Sequence, residues 1–196
     1  MEHMEHMEHM EHTEHTEPGE RGEHVADTGE TEGRRLLRRR LASRFAAFDQ
    51  QGDGTISRED FSTAAKRLLT EFGVTFRSDR GQALCDGAEA FWQGMAGIAD
   101  VDGDQKVSHE EFLGGAAKRL HDHPERFAEI ARPFLHAALA IASTPAEVER
   151  GLLALGLSPV AAALSARTLP TVDSGVVDEQ AAVTAFARYF MTEDRA

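Results

Sequence analysis

Asp100-Val101-Asp102-Gly103-Asp104-Gln105-Lys106-Val107-Ser108-His109-Glu110-Glu111 is the stretch on which the reading of this chain turns. Carboxylates stand at its first, third and fifth positions, and a longer carboxylate arm stands at its twelfth. A hard divalent cation seeks six to eight oxygens at about 2.3–2.6 Å, and a short segment can supply them only by wrapping around one centre. Asp100, Asp102 and Asp104 fit the early positions of such a wrap. Lys106, at the seventh, needs to offer only its backbone carbonyl. Ser108, at the ninth, reaches the ion directly or through a water, and Glu111 is long enough to give both of its oxygens. Val107, at the eighth, is apolar and β-branched, as expected of a residue that pairs with a partner loop. Gln105 departs from the pattern at the sixth position, where glycine normally turns the chain at positive φ. Gly103 lies two residues too early to substitute. A side chain at Gln105 costs roughly 1 kcal/mol, about fivefold in affinity, and four carboxylates remain to offset it.

The spacing is that of an EF-hand calcium loop. A second copy lies upstream, with Asp49, Gln51, Asp53, Thr55, Ser57 and Asp60 in the ligand positions. Gly54 is sixth and Ile56 is eighth, as the pattern asks. The last ligand is an aspartate, one methylene shorter than glutamate, so bidentate reach is harder and coordination falls toward six. Six-fold geometry also suits magnesium. Gln51 removes one more charge, leaving three carboxylates against four. The loop at 49–60 is therefore expected to bind Ca2+ more weakly than the loop at 100–111 and to discriminate less against Mg2+. Ile56 and Val107 are the expected bridging pair between the loops.

Helical periodicity surrounds both loops. Leu36, Leu37, Leu41, Phe45 and Phe48 form one stripe ending near Phe48, and Phe61, Ala64, Ala65, Leu68, Leu69 and Phe72 form another, with Gly73 as its stop. A third helix is expected from about Asp79 to Ala99. Beyond the second loop the texture stays helical and loses its acid. A helix over Phe127–Ala142 is expected to kink or break at Pro133. Thr144-Pro145-Ala146-Glu147 reads as N-cap, first-turn proline and capping-box glutamate for a helix that stops at Gly156. Segments at Pro159–Arg167 and Asp178–Met191 complete an all-α reading.

The chain has 196 residues and a net charge of -13. Residues 1–33 carry eleven acidic residues and one basic, a net of -10, which leaves -3 for the remaining 163. The acidity belongs to a tail in which Met-Glu-His is repeated four times. That tail lacks the apolar residues needed to offset its ordering entropy, so residues 1–33 are expected to be disordered. His3, His6, His9, His12 and His15 recur at a spacing that raises transition-metal chelation as a further hypothesis. The basic run Arg34–Arg40 is interleaved with leucines and reads as the charged face of an amphipathic helix. Neither nucleic acid nor membrane is an expected partner. Cys85 is the single cysteine, so no internal disulfide can form. No apolar run approaches the roughly 20 residues that span a bilayer, and no secretory leader is evident. A cytoplasmic monomer is expected.

The two loops, their starts 51 residues apart, and the chain length resemble the sarcoplasmic calcium-binding protein and calerythrin family. The resemblance covers roughly Leu36 to Met191. It implies four EF-hand helix-loop-helix units in two packed pairs, with a third hand near Ala142 and a fourth over Leu169–Gln180. Neither of the latter matches the loop pattern. The third lacks a carboxylate before Glu147. In the fourth, Asp173 falls fifth and Val176 eighth, while Leu169, Thr171 and Gln180 stand where acids belong. The division expected is a tail at 1–33, an ion-binding EF-hand pair at 34–125, and a degenerate helical pair at 126–196.

Outside the tail only Met95 and Met191 supply methionine, against eleven phenylalanines in the chain. Target-binding calcium sensors favour methionine-rich grooves. The composition thus points to a calcium buffer or signal modulator, with a sensor that docks an unidentified target protein as the alternative. No enzyme is expected. His121-Asp122-His123-Pro124-Glu125 is the one cluster inviting a catalytic reading, and it reads better as a solvated linker.

Overall fold

Each loop is set by where the flanking helices stop and start, and the local chemistry accounts for those points. The computed structural model describes residues 42–116 and 123–191, all within one compact unit. The expectations for the tail at 1–33, for Arg34–Arg40, and for His121 and Asp122 lie outside the described residues. Helix α1 covers 42–48, strand β1 Thr55–Ser57, α2 Arg58–Glu71 and α3 Asp79–Ala99. Strand β2 covers Lys106–Ser108, and α4 begins at His109–Glu111 and continues as a π-helical turn over Phe112–Ala116. The remaining helices are α5 at Pro124–Leu139, α6 at Pro145–Ala154, α7 at Pro159–Thr168 and α8 at Glu179–Met191.

Gly73, at a φ of 62°, turns the chain out of α2 and brings the Val74 N–H 2.9 Å from the Leu69 carbonyl. Ser78, Thr144, Ser158 and Asp178 each cap a following helix by accepting a backbone N–H three residues on. Helix α5 departs from expectation at both ends, and of the kink or break expected at Pro133 the break does not occur. It starts at Pro124, whose missing N–H would be unpaired in a first turn anyway, and it ends at Leu139 instead of Ala142. It also runs through Pro133 without ending. The lost hydrogen bond is outweighed by burial of Phe127, Ala131, Phe134 and Ala137 on one face.

The all-α reading holds with one addition, a two-stranded antiparallel sheet joining the loops. Its register pairs Thr55 with Ser108, Ile56 with Val107 and Ser57 with Lys106. Ile56 and Val107, the expected bridging pair, are both fully buried. A rod of three residues per strand has little intrinsic stability, so the pairing depends on those two side chains entering the core.

Phe91 on α3 lies at the centre of that core. Its ring meets Phe48 at 5.8 Å and Phe61 at 5.0 Å on one side, and Phe127 at 5.9 Å, Phe134 at 6.2 Å and Phe186 at 5.9 Å on the other. The first set comes from α1 and α2, the second from α5 and α8. One aromatic cluster therefore serves both halves of the folded body. Helix α3 comes very close to α5. A Cβ on Gly87 would sit 2.8 Å from the Pro133 carbonyl oxygen, and one on Gly94 would sit 2.7 Å from Ile130 Cβ. Glycines seven residues apart lie on one face of α3, Gly87 admitting the backbone of α5 and Gly94 the Ile130 side chain.

The C-terminal units keep the outline of paired hands. The Val177 N–H donates to the Ser143 carbonyl at 2.7 Å, a single-bond remnant of an inter-loop bridge. This bond corrects the expected register of the fourth loop. Val177, not Val176, is the buried bridging residue, and Asp178 is the N-cap of α8. The loop therefore runs from Pro170 to Ala181, one residue later than Leu169–Gln180. Gly175 then falls sixth, and its φ of 75° is the value that position requires.

Candidate metal centre: the two acidic loops

In the loop at 100–111 backbone N–H groups organise the carboxylates. The Asp100 Oδ1 accepts the Gly103 N–H at 2.8 Å, and its Oδ2 accepts the Gln105 N–H at 3.1 Å. The Asp102 carboxylate accepts the Asp104 N–H at 3.1 Å, and Asp104 accepts the Lys106 N–H at 2.8 Å. Each aspartate thus closes a turn onto a residue two to five places ahead. The result gathers oxygens of Asp100, Asp102 and Asp104 within 4.8 Å of one another. Among the described residues these form the one such group of three acidic, imidazole or thiol side chains.

Glu111 approaches from α4 and closes the loop. Its Oε1 accepts the Val101 N–H at 2.9 Å, and its Oε2 accepts both the N–H and the hydroxyl of Ser108 at 2.8 Å. The Ser108 backbone N–H, then the Val101 N–H, then the Ser108 hydroxyl hold the Glu111 carboxyl down to about 2. The arm is fully anionic at neutral pH. Ser108 returns the contact by accepting the Glu111 N–H at 3.3 Å, which completes a capping box for α4. Gln105 adopts a φ of 65°, the one positive φ at a non-glycine residue among those described. The loop keeps its turn although the sixth residue carries a side chain.

The loop at 49–60 repeats the wiring. Asp49 Oδ1 accepts the Gly52 N–H at 2.6 Å and the Asp53 N–H at 3.1 Å, and its Oδ2 accepts the Gly54 N–H at 2.9 Å. Gly54 supplies the expected positive φ, 85°. Asp53 accepts the Thr55 N–H at 2.9 Å and its hydroxyl at 2.8 Å, and these bonds lower the Asp53 pKa. Asp60 takes the place of Glu111. It is fully buried, accepts the Gln51 N–H at 3.0 Å on Oδ1, and accepts the Ser57 N–H at 2.7 Å and hydroxyl at 2.9 Å on Oδ2. Asp60 thus meets the same kind of partners as Glu111, on an arm one methylene shorter and fully buried. Asp49, Asp53 and Asp60 are not gathered as the downstream trio is.

The donor set in both loops is all oxygen, alternating along the chain and weighted to carboxylate, which fits a hard divalent cation and not a soft one. The two C-terminal loops do not fit. In the third, Glu147 still stands where a twelfth ligand would, but it accepts the N–H groups of Ser143 at 3.0 Å and Thr144 at 2.9 Å, and α5 and its closing turn occupy the preceding positions. In the fourth, the corrected register places Pro170, Val172 and Ala181 at the first, third and twelfth positions. One contact has no counterpart in the ligand pattern. Gln50, second in its loop, hydrogen-bonds to the Leu155 carbonyl at 3.2 Å, 105 residues along the chain. Nothing in a one-dimensional loop pattern singles out that position.

The fold and the loop geometry define a helix-loop-helix calcium-binding body. Comparison with known proteins agrees. The EF-hand domain pair model matches residues 38–117. A calcium-binding protein of Streptomyces coelicolor, studied as a basis for prokaryotic calcium-mediated regulation, is 57% identical, covering 78% of this chain and 96% of its own, with a TM-score of 0.74. Calcium-loaded apo-aequorin from Aequorea victoria superposes at a TM-score of 0.59 with 19% identity, over 80% of this chain and 91% of its own. Magnesium-loaded apo-berovin, a ctenophore photoprotein whose three calcium-binding loops all bind magnesium, superposes at 0.56 with 16% identity, over 82% and 96% of the two chains. These last two share the fold. No curated protein matches the chain. The chain belongs to the EF-hand calcium-binding proteins.

Proposed function

We propose that this protein is a cytoplasmic calcium buffer or signal modulator with two unequal ion sites. The stronger site is held by Asp100, Asp102, Asp104, the Lys106 carbonyl, Ser108 and Glu111. The weaker is held by Asp49, Gln51, Asp53, the Thr55 carbonyl, Ser57 and Asp60. The observation that carries this reading is the convergence of the Asp100, Asp102 and Asp104 oxygens within 4.8 Å, beside an anionic Glu111. The shorter, buried Asp60 supports weaker binding in the first loop, with magnesium as a competitor there; the berovin loops bind magnesium. The pair at 34–125 binds ions and the pair at 126–196 packs against it without them. The protein acts as a monomer and catalyses no reaction.

A closed body supports the buffer reading. Met95 is buried, and the aromatic cluster around Phe91 ties both halves together, which opposes opening of a groove. The likeness to a Streptomyces protein studied in calcium-mediated regulation favours the second reading, a sensor that binds a target protein when loaded. Calcium-dependent binding of an apolar dye separates the two: a buffer leaves the dye dark, and a sensor brightens it. The ion assignment itself is tested by titration calorimetry with calcium, repeated in millimolar magnesium. One clear and one weak site are expected, the weak one suppressed by magnesium. Asp100→Ala is expected to abolish the clear site. Absence of binding heat in the parent protein overturns the reading.

A further inference from the structure

Gln50 occupies a loop position that offers nothing to an ion, yet its side-chain amide is engaged on both ends. Its Nε2 donates to the Ala47 carbonyl at 2.8 Å and to the Leu155 carbonyl at 3.2 Å. Its Oε1 accepts from Arg67 Nη1 at 2.7 Å, and its backbone carbonyl accepts from Arg67 Nη2 at 3.1 Å. Ala47 belongs to the last turn of α1 and Arg67 to α2. Leu155 is the C-cap of α6, just before Gly156 turns the chain out at a φ of 92°. One side chain therefore joins both helices of the first hand to the end of the third hand's exit helix. The same face is reinforced farther along α2. Arg150 of α6 donates to Glu71 at 2.8 and 3.0 Å and stands over the Phe72 ring at 5.0 Å, and Gly151 lies against Leu68.

We propose that occupancy of the loop at 49–60 is transmitted through Gln50 to α6, so that an ion-free C-terminal pair is nevertheless calcium-responsive. The inference rests on the reading that this loop binds calcium. Residues 49 and 51 flank Gln50, and an ion held by them fixes the backbone between them. Fixing that backbone removes freedom from the Gln50 amide and with it from Leu155, whose carbonyl accepts that amide and whose N–H closes α6 on the Gly151 carbonyl. Coupling of this kind is reciprocal: whatever steadies α6 raises the affinity of the loop by the same factor. A helical pair that has lost its own ligands thereby retains a role, as the element that tunes the weaker site.

The test uses the full chain carrying Asp100→Ala, which silences the stronger loop, with calorimetry and hydrogen exchange run on the same preparation. Saturating calcium is expected to slow amide exchange across 145–154 by on the order of fivefold. Adding Gln50→Ala, or the length-matched Gln50→Met, is expected to abolish that slowing while calcium still binds, with affinity lowered by a similar factor. Binding without any slowing, or slowing that survives both Gln50 variants, overturns the coupling and leaves the ion assignment standing. No binding at all in the Asp100→Ala chain overturns the first-loop assignment, and the coupling falls with it.

Discussion

Gln105 shows how much a single φ angle can weigh. The loop turns at positive φ whether or not glycine is there, because Asp100 Oδ2 holds the Gln105 N–H and Asp104 holds the next one. The strain is thus borne by the loop, at roughly 1 kcal/mol. Gln105→Gly is expected to tighten the stronger site by about fivefold, read by calorimetry, and to leave the first loop's affinity unchanged. Equal affinity in parent and variant would show that the side chain is accommodated without strain. The departure at Gln105 could be seen in the sequence, as could the acidic spacing that brings Asp100, Asp102 and Asp104 together. The burial of Asp60 and the engagement of Gln50 could not, since both depend on what the folded chain sets against them.

At the scale of elements, two residue types that usually weaken helices do different work at different places. Gly87 and Gly97 both lie inside α3. Gly87 faces the α5 backbone, where a Cβ would meet the Pro133 oxygen at 2.8 Å and Phe134 Cα at 2.9 Å, while nothing lies within 4 Å of a Cβ on Gly97. Gly87→Ala should therefore destabilise the fold by about 1–3 kcal/mol. Gly97→Ala should stabilise it by about 0.5–1 kcal/mol, both read by urea unfolding. The N-terminus of α6 makes a pH prediction. The Glu147 carboxyl is held below its ordinary range first by the Thr144 N–H, then by the Thr144 hydroxyl, with smaller help from Ser143. A lowered folded pKa contributes stability above the unfolded value of about 4.3, and that contribution disappears as pH falls through the folded value. Glu147→Ala is expected to cost about 1 kcal/mol at pH 7, and the gap to the parent should close in strong acid. A gap that stays constant with pH would rule out the carboxylate as its cause. Thr144, Pro145 and Glu147 announced this helix in the sequence because capping is local chemistry. The continuation of α5 through Pro133 was not announced, because the apolar face that sustains it is buried by α3.

For the whole molecule, the ring of Phe91 joins the half that carries the two acidic loops to the C-terminal half. Phe48 and Phe61 pack on one side of it and Phe127 and Phe186 on the other. Phe91→Ala is expected to destabilise the fold by about 3–5 kcal/mol. The loss should appear as a shift of one cooperative transition, whether unfolding is followed by Trp92 fluorescence or by far-ultraviolet circular dichroism. Two separated transitions would mean that the halves fold independently. Among the described residues no helix is long and apolar enough to cross a membrane.

The sequence by itself determined the loops, the spacing of oxygen-bearing residues along them, the caps, and most helix boundaries. All of these rest on interactions reaching no more than a turn or a twelve-residue loop, and such chemistry is written in spacing. Tertiary structure alone decided the one-residue shift of the fourth loop, set by the Val177–Ser143 bond, and the close crossing of α3 and α5. It alone brought Gln50 to Leu155. Those features join residues tens of positions apart, and a linear pattern holds no record of which distant surfaces will meet once the apolar faces are buried together.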